Sequence, residues 1–202
     1  LYDGPLSLSE NALKANHLTP SARTYAKEKG LDFPVIFIDH MNDLWATDVP
    51  DEWILRVLAH CSDYEECTYV FQTKNPDRYM SFLDDMPTNR ILGCTIETTD
   101  VGVIESVSDA PNPWLRRDAM TEVKCEGERL FVTIEPILDG DMHKLAQWLR
   151  VIEPDFVNIG ADSKSNGLPE PSAEKVRELI GYLNQFGIEI RAKVNLDRIL
   201  KA

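Results

Sequence analysis

A chain of 202 residues with 43% apolar and 27% charged residues has the composition of a globular protein, outside the disordered, collagen-like and fibrous classes. Twenty-one Lys and Arg against 34 Asp and Glu leave a net charge of −13, which repels a phosphate backbone and argues against extended contacts with duplex nucleic acid. No apolar run approaches the roughly 18 residues that a spanning helix needs, and the first twenty residues lack the basic-then-apolar layout of a signal peptide, so a cytoplasmic protein without membrane contact is expected.

The first strand-like run is Pro34–Asp39 (PVIFID). Asp48 and Pro50 then open a helix over Asp51–Tyr64, where Trp53, Ile54, Val57, Leu58 and Cys61 share one face. A second strand follows at Thr68–Thr73, after which Asn75 and Pro76 open a helix carrying Tyr79, Met80, Leu83 and Met86. The third strand, Arg90–Thr98, leads into a loop at Thr99–Pro113, and the fourth is Leu130–Ile137. Asp139 or Asp141 caps a helix with Met142, Leu145, Trp148, Leu149 and Ile152 on one face. A fifth strand at Asp155–Gly160 precedes the loop Ser163–Pro171. Pro171 and Ser172 start a helix with Val176, Leu179, Ile180 and Leu183 at three-and-four spacing, and Glu189–Val194 is the last strand.

Strands separated by helices need crossovers and therefore run parallel, which is the α/β class, as a barrel or an open doubly wound sheet. A sheet covered on both faces reads as nearly continuous apolar residues. These strands instead alternate: Thr95 and Glu97 share one parity, as do Thr133 and Glu135, Asn158 and Asp162, and Arg191, Lys193 and Asn195. Buried carboxylates are costly unless paired, so their recurrence at equivalent strand ends implies one polar chamber in which Lys74, Arg191 and Lys193 balance Glu97, Glu135 and Asp162. The expected architecture is a single (β/α) barrel domain over residues 1–202, TIM-like, complete or partial, with about six to eight parallel strands. A self-satisfied ion network without catalytic duty would give the same pattern.

Candidate site residues follow at the C-terminal strand ends, where barrels place their chemistry. The turn after the first strand offers Asp39, His40, Asn42 and Asp43, a set that also suits a plain capping turn. Gln72, Thr73 and Lys74 close the second strand, Glu97 the third and Glu135 the fourth. Gly160, Asp162 and Ser163 form a turn that lets a ligand approach backbone, and Lys193 with Asn195 finishes the ring. The sequence has no GxGxxG, P-loop, HExxH or GxSxG motif. His17, His40, His60 and His143 show no metal-ligand spacing, so no metal site is expected within the chain. Cys61, Cys67, Cys94 and Cys125 form no CxxC pair and read as small buried apolar residues.

The segments HMNDLW (40–45), VPDEWI (49–54), TKNPDRY (73–79), GCTIET (93–98), TIEPIL (133–138), NIGADSKSNGLPEPS (158–172) and KVNLDRIL (193–200) resemble a phage- and bacteria-associated radical-SAM-like family of poorly defined function, marked by an upstream three-cysteine motif. The resemblance covers nearly the whole chain. It implies a radical SAM barrel in which a CxxxCxYC motif after the first strand holds three irons of a 4Fe-4S cluster and S-adenosylmethionine takes the fourth. Cys61 and Cys67 have the wrong spacing, so the cluster ligands are expected upstream of residue 1, with the chain starting near the family's second strand.

The implied chemistry is reductive cleavage of S-adenosylmethionine to a 5′-deoxyadenosyl radical that modifies a small substrate, a nucleotide or nucleic-acid base among the candidates, with a reductant protein as partner. By the same resemblance His40, Asn42, Asp43, Gln72, Thr73, Lys74 and Glu97 would bind the cofactor. Glu135, Lys193 and Asp162 would be catalytic, and Asn158, Ser163, Arg191 and Asn195 would face the substrate. Two alternatives stand beside this reading: a cluster-free α/β-barrel lyase or hydrolase using Glu97, Glu135 and Lys193, and a degenerate barrel kept as a non-catalytic binding subunit.

Overall fold

The computed structural model describes residues 6–38, 42–163 and 166–201. Six strands, β1 (Val35–Phe37), β2 (Thr68–Thr73), β3 (Arg90–Thr95), β4 (Leu130–Ile134), β5 (Phe156–Ile159) and β6 (Glu189–Ala192), pair in sequence order, every pair parallel. A doubly wound sheet reverses its winding at a switch point; this order never reverses. With right-handed crossovers, all helices fall on one side and the sheet curls into a half-barrel.

The helices are α1 (Pro20–Glu28), α2 (Asp51–Ser62), α3 (Val101–Glu105), α4 (Pro113–Cys125), α5 (Met142–Ile152), α6 (Ala173–Gln185) and α7 (Asp197–Leu200). Side chains with oxygen acceptors start several of them: Thr19 accepts from the Ala22 N–H, Asp100 from Gly102 and Val103, Asp141 from Lys144, and Ser172 from Lys175. Among the described residues no helix is long and apolar enough to cross a membrane.

One parity of the strands builds the core. Tyr69, Phe71, Leu92, Cys94, Leu130, Val132, Ile134, Val157 and Ile159 are buried under the helices, against Leu58, Met120, Leu149, Val176 and Leu179 among others. Each large side chain moved from water into such a layer contributes about 1.5–3 kcal/mol, so this face holds the sheet to its helices. The opposite parity lines the concave face and stays partly open. Leu31, Phe33, Val35 and Phe37, at two-residue steps on and before β1, are 42–47% exposed, and no described strand pairs with the outer edge of β1.

Three local expectations change. The segment after Asn75 forms two 3₁₀ turns, Pro76–Ser81 and Leu83–Asp85, instead of a helix. Its fit to the core is set by single anchors rather than by a continuous apolar stripe: Tyr79 is buried with its hydroxyl donating to the Gly93 carbonyl (2.8 Å), while Met80 is exposed. The Thr99–Pro113 loop contains the short α3, and α1, α4 and α7 were not anticipated. Cys61, Cys67 and Cys94 are buried as expected, but Cys125 at the end of α4 is exposed, because it falls off that helix's inward stripe of Ala119, Met120 and Val123.

Candidate functional site

The concave face is built in layers. At its floor Gly93 has no side chain because the Phe131 ring occupies that space: a Cβ there would lie 2.1 Å from a ring carbon. Phe131 stacks on Phe156 with centroids 5.2 Å apart and planes 12° apart, and the Arg191 guanidinium lies over Phe156 at 3.5 Å. One step toward the C-terminal ends runs a neutral polar belt. Gln72 Nε2 donates to Thr95 Oγ1 (2.9 Å), Thr133 Oγ1 donates to Gln72 Oε1 (3.2 Å), and Asn158 Nδ2 donates to Thr133 Oγ1 (3.3 Å). Register aligns Thr95, Thr133, Asn158 and Arg191 on neighbouring strands, so the belt is a product of parallel pairing.

Two carboxylates stand at the rim above the belt. Glu97, two residues past Thr95, is buried; its oxygens accept from Lys74 Nζ (2.5 Å) and Arg116 Nη1 (2.9 Å). Arg116 is completely buried on α4, and also donates to the Thr95 carbonyl (2.9 Å) and, through Nε, to that of Pro111 (2.5 Å). Its Nη2 is buried with no hydrogen-bond partner among the described residues. Asp43 fixes the second strand's end from beneath: it accepts from Thr73 Oγ1 (2.7 and 2.9 Å), the Lys74 N–H (2.9 Å) and the Trp45 N–H (3.0 Å). The buried Glu97 charge thus meets two cations, Arg116 from the dry side and the partly exposed Lys74 from the open one.

The second carboxylate, Glu135, precedes a cis peptide bond to Pro136. It pairs with Lys193 Nζ and accepts from Asn195 Nδ2 (3.2 Å), while Asn195 also clasps the Ala161 backbone through its N–H (3.3 Å) and carbonyl (2.8 Å). At Gly160, where the sequence suggested that a ligand could approach backbone, the space is filled by the chain's own Glu135: a Cβ there would lie 2.6 Å from its Oε1. Beyond it Asp162 accepts from the Asn166 backbone and side-chain N–H groups, and its own N–H donates to Glu170 Oε1 (2.7 Å). Arg198 grips Glu170 with both Nη groups (2.8 and 2.7 Å), and that hydrogen-bonded guanidinium holds the Glu170 carboxyl below its usual range.

About half of the expected site residues therefore lie at or just below one rim. Gln72, Lys74 and Glu97 form one group; Glu135, Lys193, Asn195 and the neighbouring Asp162 form another, with Asn158 in the belt between floor and rim. Thr73 points to the other parity and spends its hydroxyl on Asp43, and Asn42 and Ser163 are exposed. His40 lies outside the described residues. Arg191 is a correction to the expected charge balance: its Nε donates to Glu189 (2.7 Å) and its plane covers Phe156, so it neutralises none of Glu97, Glu135 and Asp162. The third cation is Arg116. It lies on the inward stripe of α4 with Pro113, Ala119, Met120 and Val123, so an arginine on an apolar helical stripe was the available signal. Arg198 and Glu170 were also missed.

Two surface cavities lie elsewhere. One of about 490 Å³ sits at the N-terminal strand ends beside Arg90 and Glu128, and one of about 590 Å³ lies between Asp100, Asp139 and Lys144. Neither is lined by Gln72, Lys74, Glu97 or Glu135.

The donor set separates two ligands. A zwitterionic amino-acid moiety needs a cation and a carboxylate side by side, which Lys74 and Glu97 supply. An iron–sulfur cluster needs grouped thiolates, and the described residues do not fit it. They contain no cluster of three or more His, Cys, Asp or Glu that could hold a metal, and burial pushes the Cys61 thiol up to about 12 and raises those of Cys67 and Cys94.

The sequence profile of a family described as Protein of unknown function (DUF5131) matches residues 8–175. No curated protein resembles the sequence closely enough to count as a match. Among solved structures, SuiB of Streptococcus suis bound to S-adenosylmethionine superposes with a TM-score of 0.60 at 11% identity, over 86% of this chain and 42% of that one. Spore photoproduct lyase complexed with dinucleoside spore photoproduct gives 0.58 at 13% identity, over 85% and 65%. A radical SAM methyltransferase from Sphaerobacter thermophilus gives 0.56 at 18% identity, over 86% and 54%. The chain thus spans between about two fifths and two thirds of these proteins, and the likeness is one of fold: the curled parallel half-barrel is that of radical SAM enzymes.

Proposed function

The chain belongs to the DUF5131 family, and from that membership and its half-barrel we propose that it is the barrel body of a radical SAM-type enzyme, holding S-adenosylmethionine at the Lys74–Glu97 end of the rim and a small substrate at the Glu135–Lys193 end. The observation that carries this reading is the pair of carboxylate–cation clusters at successive strand ends above an open polar face. When bound, the cofactor supplies a sulfonium-activated adenosyl or methyl group.

The chain's own residues do the positioning. Lys74 binds a carboxylate as a point charge, and Glu97 accepts from an ammonium group; Arg116 and Asp43 act through them as positioning residues. Glu135 and Lys193 are the pair able to hold or pass a proton at the substrate, because they remain partly open to solvent while in contact. Asn158, Asp162 and Asn195 shape that end of the face, with Ser163 at its margin.

The described residues hold no ligand set for an iron–sulfur cluster, so the cluster enters this reading through the radical SAM fold alone. Among the described residues no strand pairs with the outer edge of β1, and an exposed strand edge is a liability that proteins cover. A protein carrying CxxxCxYC before that position should hold about four irons per chain when prepared without oxygen; iron-free protein would overturn the radical assignment. The openness of the Glu135–Lys193 pair also favours a second reading, acid–base turnover without a cluster. In that case Glu135→Gln should abolish an activity that needs neither cofactor nor reductant, and survival of the activity would remove it.

A further inference from the structure

The Phe131–Phe156–Arg191 column lies outside both the Lys74–Glu97 and the Glu135–Lys193 groups. Its guanidinium has one face on the Phe156 ring at 3.5 Å, and its plane is pinned by the Nε bond to Glu189. The side chain is 51% exposed and its Nη groups make no hydrogen bond among the described residues, so the other face opens toward the hollow. Guanidinium is planar and weakly hydrated, which suits it to stacking against a second flat ring. Asn158 is Arg191's partner across the β5–β6 register, and its amide is used once, by Nδ2 toward Thr133; Oδ1 and the second N–H remain as an adjacent acceptor and donor.

We infer that the concave face binds a nucleobase, stacked on the open face of Arg191 with its hydrogen-bonding edge against the Asn158 amide. This rests on reading the concave face as the substrate face. A planar ring with a donor and acceptor edge matches both features; a phosphate would use only the cation, which Glu189 already neutralises, and a net charge of −13 disfavours a long polyanion.

The test is a fluorescence titration of the full chain with 2-aminopurine riboside, a neutral nucleoside whose emission is quenched on stacking. Saturable quenching is expected, undiminished by saturating S-adenosylmethionine. Arg191→Lys keeps the charge and loses the plane, and Asn158→Leu keeps the stack and loses the edge; each should weaken binding about tenfold. Circular dichroism confirms that both variants fold. No saturable quenching by the wild-type chain, equal affinity in Arg191→Lys, or displacement of the nucleoside by inorganic phosphate, a tripeptide or S-adenosylmethionine at comparable concentration would each overturn the inference. Calorimetric binding of S-adenosylmethionine is measured on the same samples and should be unchanged in Arg191→Lys. If the cofactor binds and the nucleoside does not, this inference falls while the proposed function stands; the converse result removes the proposed function alone.

Discussion

Glu97 and Glu135 end neighbouring strands on the same face, and each has a lysine and a second donor, yet they live under different physics. The Glu97 side chain is 3% exposed and its second partner, Arg116, is wholly buried; the Glu135 side chain is 19% exposed and its Lys193 partner 50%. A buried ion pair is a fixed structural charge, because separating its members strands a charge away from water. An open pair exchanges partners at little cost. Under the proposed function, that difference suits the Glu97 cluster to holding and the Glu135 pair to reacting.

The sharpest way to break that contrast is to remove one partner from each. Arg116→Met should leave Glu97 with Lys74 alone and destabilise the fold by about 3–5 kcal/mol, whereas Lys193→Met should cost less than about 1 kcal/mol. Urea unfolding of both variants checks this, and similar losses would erase the distinction. Next in size, Gly93→Ala drives a methyl into the Phe131 ring, and neither ring nor strand can easily give way. A loss of about 1–3 kcal/mol is expected from such overpacking, read by thermal melting.

Gly160→Ala meets the outer part of the Glu135 side chain, from Cγ to Oε1, and no backbone. Its stability cost should be under about 1 kcal/mol, but it should push the carboxylate off Lys193, so any turnover that depends on Glu135 falls while the melting point hardly moves. An unchanged rate would show that this contact is dispensable.

The smallest effect lies away from both carboxylates and serves as their control. His17 packs against His60 and Tyr64 and bonds the Tyr69 hydroxyl (2.8 Å), and burial, then the neighbouring His60, lowers its pKa below the usual 6.5. The folded state therefore binds fewer protons than the unfolded one below that pH. The stability His17 contributes is complete above about pH 6.5 and is lost as pH falls from there through its lowered folded value. His17→Gln should flatten that acid limb in pH-dependent unfolding; an unaltered limb would place the sensitivity elsewhere.

The strands were readable because their chemistry is local: apolar runs with a polar parity placed all six and implied a curled sheet rather than a flat one. The rim followed, since Glu97 and Glu135 continue that parity past the strand ends. Pairing was harder. Lys74 finds Glu97 across adjacent strands, a relation that register determines, whereas Lys193 reaches Glu135 over the end of β5, where Gly160 has no side chain in the way. Arg191 reaches down to Phe156 and Glu189 because they are its nearest neighbours on the floor. Arg116 arrives from α4, outside the sheet altogether, and strand parity carries no information about a helix that crosses behind it. The 3₁₀ turns after Asn75 escaped for a related reason: Tyr79 is anchored by one hydrogen bond to Gly93, a tertiary contact with no periodicity.

Equilibrium binding of S-adenosylmethionine to the wild-type chain and to Lys74→Met, followed by calorimetry on samples with matching circular dichroism, bears most directly on the role given to the Glu97 end. Saturable binding to the wild type, weakened at least about tenfold once the lysine is gone, equivalent to about 1.4 kcal/mol, is the expected result. A folded wild-type chain that takes up no ligand, or a variant that binds as well as its parent, would contradict it.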